Sequence, residues 1–235
     1  MSRLFLADLH LAEPDAPRFR AFARLLDEHS PLVDEIYLLG DLCEVWVGDD
    51  DDGPLARAFV STLARAARHA RVFVMHGNRD FLFGERFARE AGARLIPDPW
   101  PLDDHTLLAH GDTFCIDDAE YQKLRAMLRS PAWQNDILGR TLVERRALAQ
   151  SMREQSEATN ANKAENIMDV SEDEVARVMQ RHGATRLIHG HTHRPGIHEA
   201  PWGRRYVLGA WERCAWYLVE DERQALELRC TAIRG

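Results

Sequence analysis

No apolar run in the 235-residue chain approaches the roughly 20 residues needed to cross a bilayer as a helix, so a membrane-spanning protein is not expected. The start, Met1 to Phe5, carries neither a basic leading segment nor a long apolar stretch with a small-residue cleavage site. No secretory leader is therefore expected, and the reading is cytoplasmic. Cysteine is scarce: Cys43, Cys115, Cys214 and Cys230 stand far apart, without the paired spacing of a zinc ribbon or a redox motif, so reduced thiols are expected. Positive charge is also short, with 30 Lys and Arg against 38 Asp and Glu for a formal charge of −8. That balance speaks against a nucleic-acid binder, whose affinity would rest on clustered cations. No internal repeat or low-complexity tract occurs. The remainder, 45% apolar and 29% charged, is the composition of one soluble globular domain.

A rhythm runs along the chain. Arg3 to Ala7 reads as a short buried strand ending in Asp8-Leu9-His10, followed by helical periodicity around Phe19 to His29. Glu35 to Leu39 is a second apolar strand, ending in Gly40-Asp41; Leu55 to Ala70 is helical in period; Val72 to Met75 is a third strand, ending in Gly77-Asn78. Leu107 to Ala109 precedes His110-Gly111-Asp112, and Arg186 to Ile188 precedes Gly190-His191-Thr192-His193. Five strands thus deliver polar groups at their C-terminal ends, the side of an α/β sheet where loops from distant positions converge. Arg205 to Leu208, Ala215 to Glu220 and Ala225 to Thr231 read as closing strands.

Between Ile116 and His182 the strand rhythm stops and helix formers dominate, marking a candidate insertion. Across Ala119 to Lys163 the eight basic residues exceed the five acidic ones by three. Trp133, Ile137, Leu138, Leu142, Leu148 and Met152 fit either a helix-packing stripe or an apolar groove. Asp49 to Asp52 form a four-carboxylate run, read as a solvated, self-repelling loop. His76 and His189 sit at apolar strand ends and are expected to be buried and hydrogen-bonded; His105 and His182 are expected at the surface. Cys43, beside the second polar turn, is expected to serve as a small buried apolar residue.

The groups at the five strand ends are Asp8, His10, Asp41, Asn78, His110, His191 and His193. Imidazole nitrogens with carboxylate and amide oxygens suit first-row divalent ions, and soft thiolates are missing. Two ions roughly 3.5 to 4 Å apart need a shared carboxylate to offset their repulsion, and Asp41 is the natural bridge. Arg79 follows Asn78 directly and either forks onto a phosphate oxygen or pairs with Asp80 or Asp112.

Each short motif alone is weak, but the ordered set Asp-x-His, Gly-Asp-x-x-Glu, Gly-Asn-Arg-Asp, His-Gly-Asp and Gly-His-x-His closely resembles that of the calcineurin-like metallophosphoesterases, over nearly the whole chain. The resemblance implies an α/β fold, the four-layer αββα sandwich, as a single domain over 1–235 with an inserted helical cap at about 117–168. It implies two divalent ions per chain, manganese first among them: Asp8, His10, Asp41 and His193 on one, Asp41, Asn78, His110 and His191 on the other. Asp41, Asn78, Arg79 and His110 are the catalytic set it implies, with metal-activated water as the nucleophile.

The residues around these motifs narrow the substrate. Gly40 to Asp50, Gly77 to Leu82 and the tract Ser156 to Lys163 resemble the branch of that family which hydrolyses the pyrophosphate bond of a lipid-linked sugar nucleotide, with attack on the nucleotide-side phosphorus. That branch implies contacts to the sugar phosphate from Asn78, Arg79, Asp118, Ser156, Asn160, Lys163 and His191, with Tyr121 and Arg153 as further candidates. Read alone, Ser156, Asn160 and Lys163 merely share a helical face. At Cys43 this chain departs from the bulkier apolar residue that the resemblance leads one to expect. Peripheral contact with the cytoplasmic face of the inner membrane and no obligate protein partner are expected. The competing expectation is a two-metal phosphoesterase acting on soluble nucleotides or phosphomonoesters.

Overall fold

The computed structural model describes residues 1–160 and 169–234, with side chains left out at 156–160. Four parallel strands form the heart of the first sheet: β1 (Arg3–Leu6), β2 (Glu35–Leu39), β3 (Arg71–Met75) and β4 (Ala93–Ile96). β10 (Cys214–Glu220) joins β1 antiparallel and β11 (Leu226–Ala232) closes that edge. In the second sheet β6 (Thr106–Ala109), β7 (Arg186–His189) and β9 (Gly203–Val207) run parallel, flanked by the antiparallel edges β5 (Trp100–Pro101) and β8 (Gly196–Ala200).

Alternation along the strands makes the layers. In β1, Leu4 and Leu6 face outward to helices, while Phe5 turns to the other sheet, the period of two that a pleated strand imposes. On the outer face lie α1 (Pro17–His29), α2 (Pro54–Ala66) and α3 (Glu85–Ala91), which bury Phe22, Leu26, Phe59, Leu63 and Phe87 against it. Phe5, Tyr37, Leu39 and Met75 meet Leu108, Ile188, Tyr206 and Leu208 between the sheets. The fourth layer is α7 (Glu172–His182), whose Val175, Val178 and Met179 cover Leu107 and Leu187. This is the expected αββα sandwich. Proline in the first turn of α1 and α2, where its missing N–H has no helical partner to lose, starts each helix. Ser171, whose hydroxyl accepts from Glu174 N, starts α7.

Ahead of α7 stand three further helices, α4 (Ala119–Leu128), α5 (Pro131–Leu138) and α6 (Leu142–Asn160). The predicted helical tract from Ile116 to His182 therefore divides, because its last helix carries the apolar face of a core element. Three strands have no counterpart in the sequence reading. β5 is two residues long, β4 is a half-exposed edge, and β8 is mostly exposed, so none carries a clear apolar pattern.

The outer core is aromatic. Phe59 is fully buried, with ring centroids 5.8 Å from Phe22, 6.0 Å from Phe83 and 6.0 Å from Phe87. Cys43 is fully buried in the same cluster, and burial pushes its thiol well above the usual range, so it acts as the small apolar residue expected. Phe59→Ala should destabilise the chain by about 3–5 kcal/mol in urea unfolding; a loss below about 1 kcal/mol would show that the cluster does not carry this layer.

Candidate metal centre

All seven predicted residues come together at one centre, on the loops that follow β1, β2, β3, β6 and β7. Backbone bonds tie these loops together: Asp8 N donates to Gly40 O at 3.1 Å, His10 N to Asp41 O at 3.0 Å, and Gly190 N to His110 O at 2.9 Å. The approach is close enough to require glycine. A Cβ at Gly77 would stand 2.0 Å from Asp41 N, and one at Gly190 would stand 2.3 Å from Asp8 Oδ2.

Backbone strain is concentrated here. Among the described residues six non-glycines have positive φ, and five of them are Asp8 (54°), His10 (46°), Asp41 (53°), His191 (68°) and His193 (57°). Such conformations cost about 1–3 kcal/mol each and persist where surrounding structure enforces them for function. The strain turns each side chain back over the strand ends, toward a common centre.

Two donor sets result. On one side His10 Nε2 lies 3.1 Å from His193 Nε2, and His193 Nε2 lies 3.6 Å from Asp8 Oδ1. On the other, Asn78 Oδ1 lies 3.0 Å from both His110 Nε2 and His191 Nδ1. Asp41 stands between, with Oδ2 3.9 Å from His10 Nε2 and Oδ1 3.8 Å from His110 Nε2. Candidate ligand atoms of Asp8, His10 and His193, and separately of Asp8, Asp41 and His110, all lie within 4.8 Å of one another. Asp8 Oδ1 is buried without a hydrogen-bond partner, a poor arrangement for an internal network and a good one for a cation. The residues present fit divalent metal.

Charge coupling across the cleft is strong. Burial alone would discharge His110, but the carboxylates of Asp41, Asp112, Asp8 and Asp98 outweigh it and push the ring up to about 9. For the half-buried His191, desolvation and the charge on His110 act together and pull it down to about 4. Burial also opposes the charge on Asp8, yet His193, His110 and His10 hold its carboxyl below the usual range.

A cleft of about 610 Å³ opens beside this centre. Asn78, Arg79 and Tyr121 stand on its wall, and Trp133 and Ile137 of α5 with Leu148 and Met152 of α6 give it apolar sides. Of the predicted stripe, Leu138 is exposed instead. Asp118 caps α4, its carboxylate accepting from Tyr121 N. Tyr121 stacks on His191 at 6.0 Å and donates its hydroxyl to Asp112 Oδ2 at 2.7 Å. Arg153 Nε stands 3.4 Å from Glu44 Oε1. The side chains of Ser156 and Asn160, and all of Lys163, lie outside the described residues.

Other expectations meet mixed outcomes. His76 and His189 are hydrogen-bonded as expected, to Phe83 O and Gly190 O at 2.8 Å each, and His105 and His182 are exposed. Arg79 pairs with neither Asp80 nor Asp112: its Nη1 faces Glu44 Oε1 at 3.5 Å, while its backbone N donates to Asp41 Oδ1 at 2.8 Å. The reading of Asp49 to Asp52 as a self-repelling loop is corrected. Asp50 forms a two-pronged pair with Arg145 of α6, Asp51 pairs with Arg146, and Asp49 accepts from Trp46 Nε1, Gly84 N and Phe87 N. Cations on a distant helix thus pair with two of the four carboxylates, and neutral N–H donors hold a third.

Beyond the predicted set, Glu44, Asp80 and Asp112 stand at this centre; each closes one of the quoted motifs, and that spacing is the signal that points to them. Glu44 Oε2 faces His10 Nδ1 at 3.4 Å. Asp80, fully buried, accepts from Leu42 N at 2.6 Å and Gly77 N at 2.8 Å, joining the Asp41 and Asn78 loops.

Comparison with known proteins gives the family. Residues 1–195 match the family model for calcineurin-like phosphoesterases. A protein of Marinobacter nauticus named UDP-2,3-diacylglucosamine hydrolase is 42% identical, covering 97% of both chains. One of Hahella chejuensis with that name is 46% identical over 92% of each, and one of Pseudomonas aeruginosa 43% over 94% of this chain and 95% of its own. Among solved structures, an archaeal phosphodiesterase superposes with a TM-score of 0.50 at 12% identity, covering 98% of this chain and all of its own, which shows the fold alone. By its family match and its relatives along nearly the full length, the chain belongs to the calcineurin-like phosphoesterases.

Proposed function

We propose that the chain hydrolyses the pyrophosphate bond of UDP-2,3-diacylglucosamine, releasing UMP and 2,3-diacylglucosamine 1-phosphate, a step of lipid A biosynthesis. The observation that carries this reading is one cleft, beside the donor centre, whose wall brings Asn78 and Arg79 together with Trp133, Ile137, Leu148 and Met152. A diphosphate carrying acyl chains has the same division of polar and apolar parts. The names of relatives at 42–46% identity point to the same substrate.

In this reading Asp8, His10, Asp41 and His193 hold one divalent ion, and Asp41, Asn78, His110 and His191 hold a second, with manganese as the ion. What such a pair supplies is an acidified water and neutralisation of charge developing on phosphoryl oxygens, here on the uridine side of the bond. The chain's own groups do the rest. Asp41 Oδ1 is fixed by the Arg79 N–H at 2.8 Å. The Arg79 guanidinium, resting 3.5 Å from Glu44, is placed to turn its fork onto a phosphate oxygen. Asp118, Tyr121, Arg153, Ser156, Asn160, Lys163 and His191 are proposed to receive the sugar phosphate and its amides.

Helices α4, α5 and α6 are proposed as the cap over the cleft, within the expected insertion at about 117–168. Arg145 anchors it: only 4% exposed, it donates to Val47 O and Asp50 of the loop after β2. No described helix is long and apolar enough to cross a membrane. Exposed Leu124, Met127, Leu138 and Val143 on these helices, among basic residues, suit peripheral contact with anionic lipid.

Purified chain supplied with manganese should release UMP from UDP-2,3-diacylglucosamine far faster than phosphate from an aryl phosphate. Equal or reversed rates would favour a soluble-substrate phosphoesterase and reject this substrate. Vesicles containing anionic lipid should carry the chain upward in flotation at low salt and lose it as salt is raised; absence of flotation at low salt would remove the membrane part of the proposal.

A further inference from the structure

We infer that helix α4 is a splint for the metal loops, with Arg125 holding the loop of His110 and Arg129 the loop of Asn78. The inference rests on the proposed assignment of Asn78, His110 and His191 to one ion. Asp112, two residues after His110, is fully buried, and its Oδ2 accepts from both Arg125 Nε and Tyr121 Oη at 2.7 Å. Gln122 Nε2 donates to Asp112 O at 2.8 Å and Cys115 O at 3.1 Å. Arg125 Nη2 also faces Asp98 Oδ2 at 3.7 Å, and Asp98 Oδ1 accepts from His110 N at 3.2 Å. The backbone at His110 is thus held from both sides.

One turn further on, Arg129 Nη2 donates to Gly77 O at 2.8 Å, the carbonyl of the peptide unit that leads into Asn78. The same guanidinium lies over the Phe81 ring, 5.3 Å from its centroid, so it braces that loop at two points. Two arginines four residues apart repel on an isolated helix. Here each guanidinium ends on a different loop, Arg125 on the Asp112 carboxylate and Arg129 on the Gly77 carbonyl, which accounts for their spacing by function rather than by helix stability. The consequence falls on one atom: Asn78 Oδ1 stands 3.0 Å from both His110 Nε2 and His191 Nδ1, and stays there only while the two loops keep their separation. Asp8, His10 and His193 come from other loops, so the splint serves one donor set.

Arg129 is a positioning residue in this account, and its test reads metal rather than turnover. Stepwise manganese binding to metal-free chain should be followed by calorimetry and by the resonance signal of free manganese, with Asn78→Ala identifying the step that belongs to the Asn78 side. Arg129→Met keeps an unbranched stem over Phe81 and removes the donor. It should weaken the Asn78-side step by roughly 10–100-fold, the usual effect of losing an outer partner, while leaving the other step and the melting temperature in place. Arg129→Lys should restore part of the loss. Unchanged affinity in Arg129→Met would overturn the splint, as would parallel weakening of both steps with a lowered melting temperature. Wild-type chain that takes up a single ion would overturn the two-ion reading, and the splint with it.

Discussion

The centre turns on Asp41, whose two carboxylate oxygens face different donor sets. Oδ2 looks toward His10 and Oδ1 toward His110, so one buried anion stands between two groups of metal-philic atoms. Cations brought as close as a two-metal site requires repel one another, and the shared carboxylate offsets that repulsion. Much of the surrounding structure serves to hold it. Asp41 lies in the left-handed region, Gly77 has no side chain so that its backbone can pass, and Arg79 N fixes Oδ1. Asp80 ties the loop on one side of Asp41 to the loop that carries Asn78.

Around that point the molecule is built in shells of decreasing locality. The strands bring five loops to one edge of the two sheets, and the loops bond to one another through backbone groups. Two of the three extra helices then attach to the loops through guanidinium groups: Arg125 and Arg129 from α4, Arg145 and Arg146 from α6. Each of these guanidinium groups ends on a loop that follows a central strand. The apolar walls of the cleft and the polar centre are therefore joined by the same ion pairs and hydrogen bonds.

That order also explains what the amino-acid sequence discloses. Asp8, His10, Asp41, Asn78, His110, His191 and His193 are legible because each closes a short apolar run, so strand and ligand announce one another locally. The sandwich is legible for the same reason, whereas β4, β5 and β8 are edges or too short to show a pattern. Arg129 meets Gly77 across 52 positions, and Arg145 meets Asp50 across 95, separations at which no periodicity or motif operates. A run of four aspartates looks self-repelling until Arg145 and Arg146 of α6 are in place beside Asp50 and Asp51.

The most direct measurement is the electron paramagnetic resonance spectrum of metal-free chain reloaded with roughly two equivalents of manganese. Spin coupling between two bridged ions is expected, lost in Asp41→Ala while the chain stays folded. Isolated, uncoupled ions in the wild-type chain would contradict the shared centre at its root.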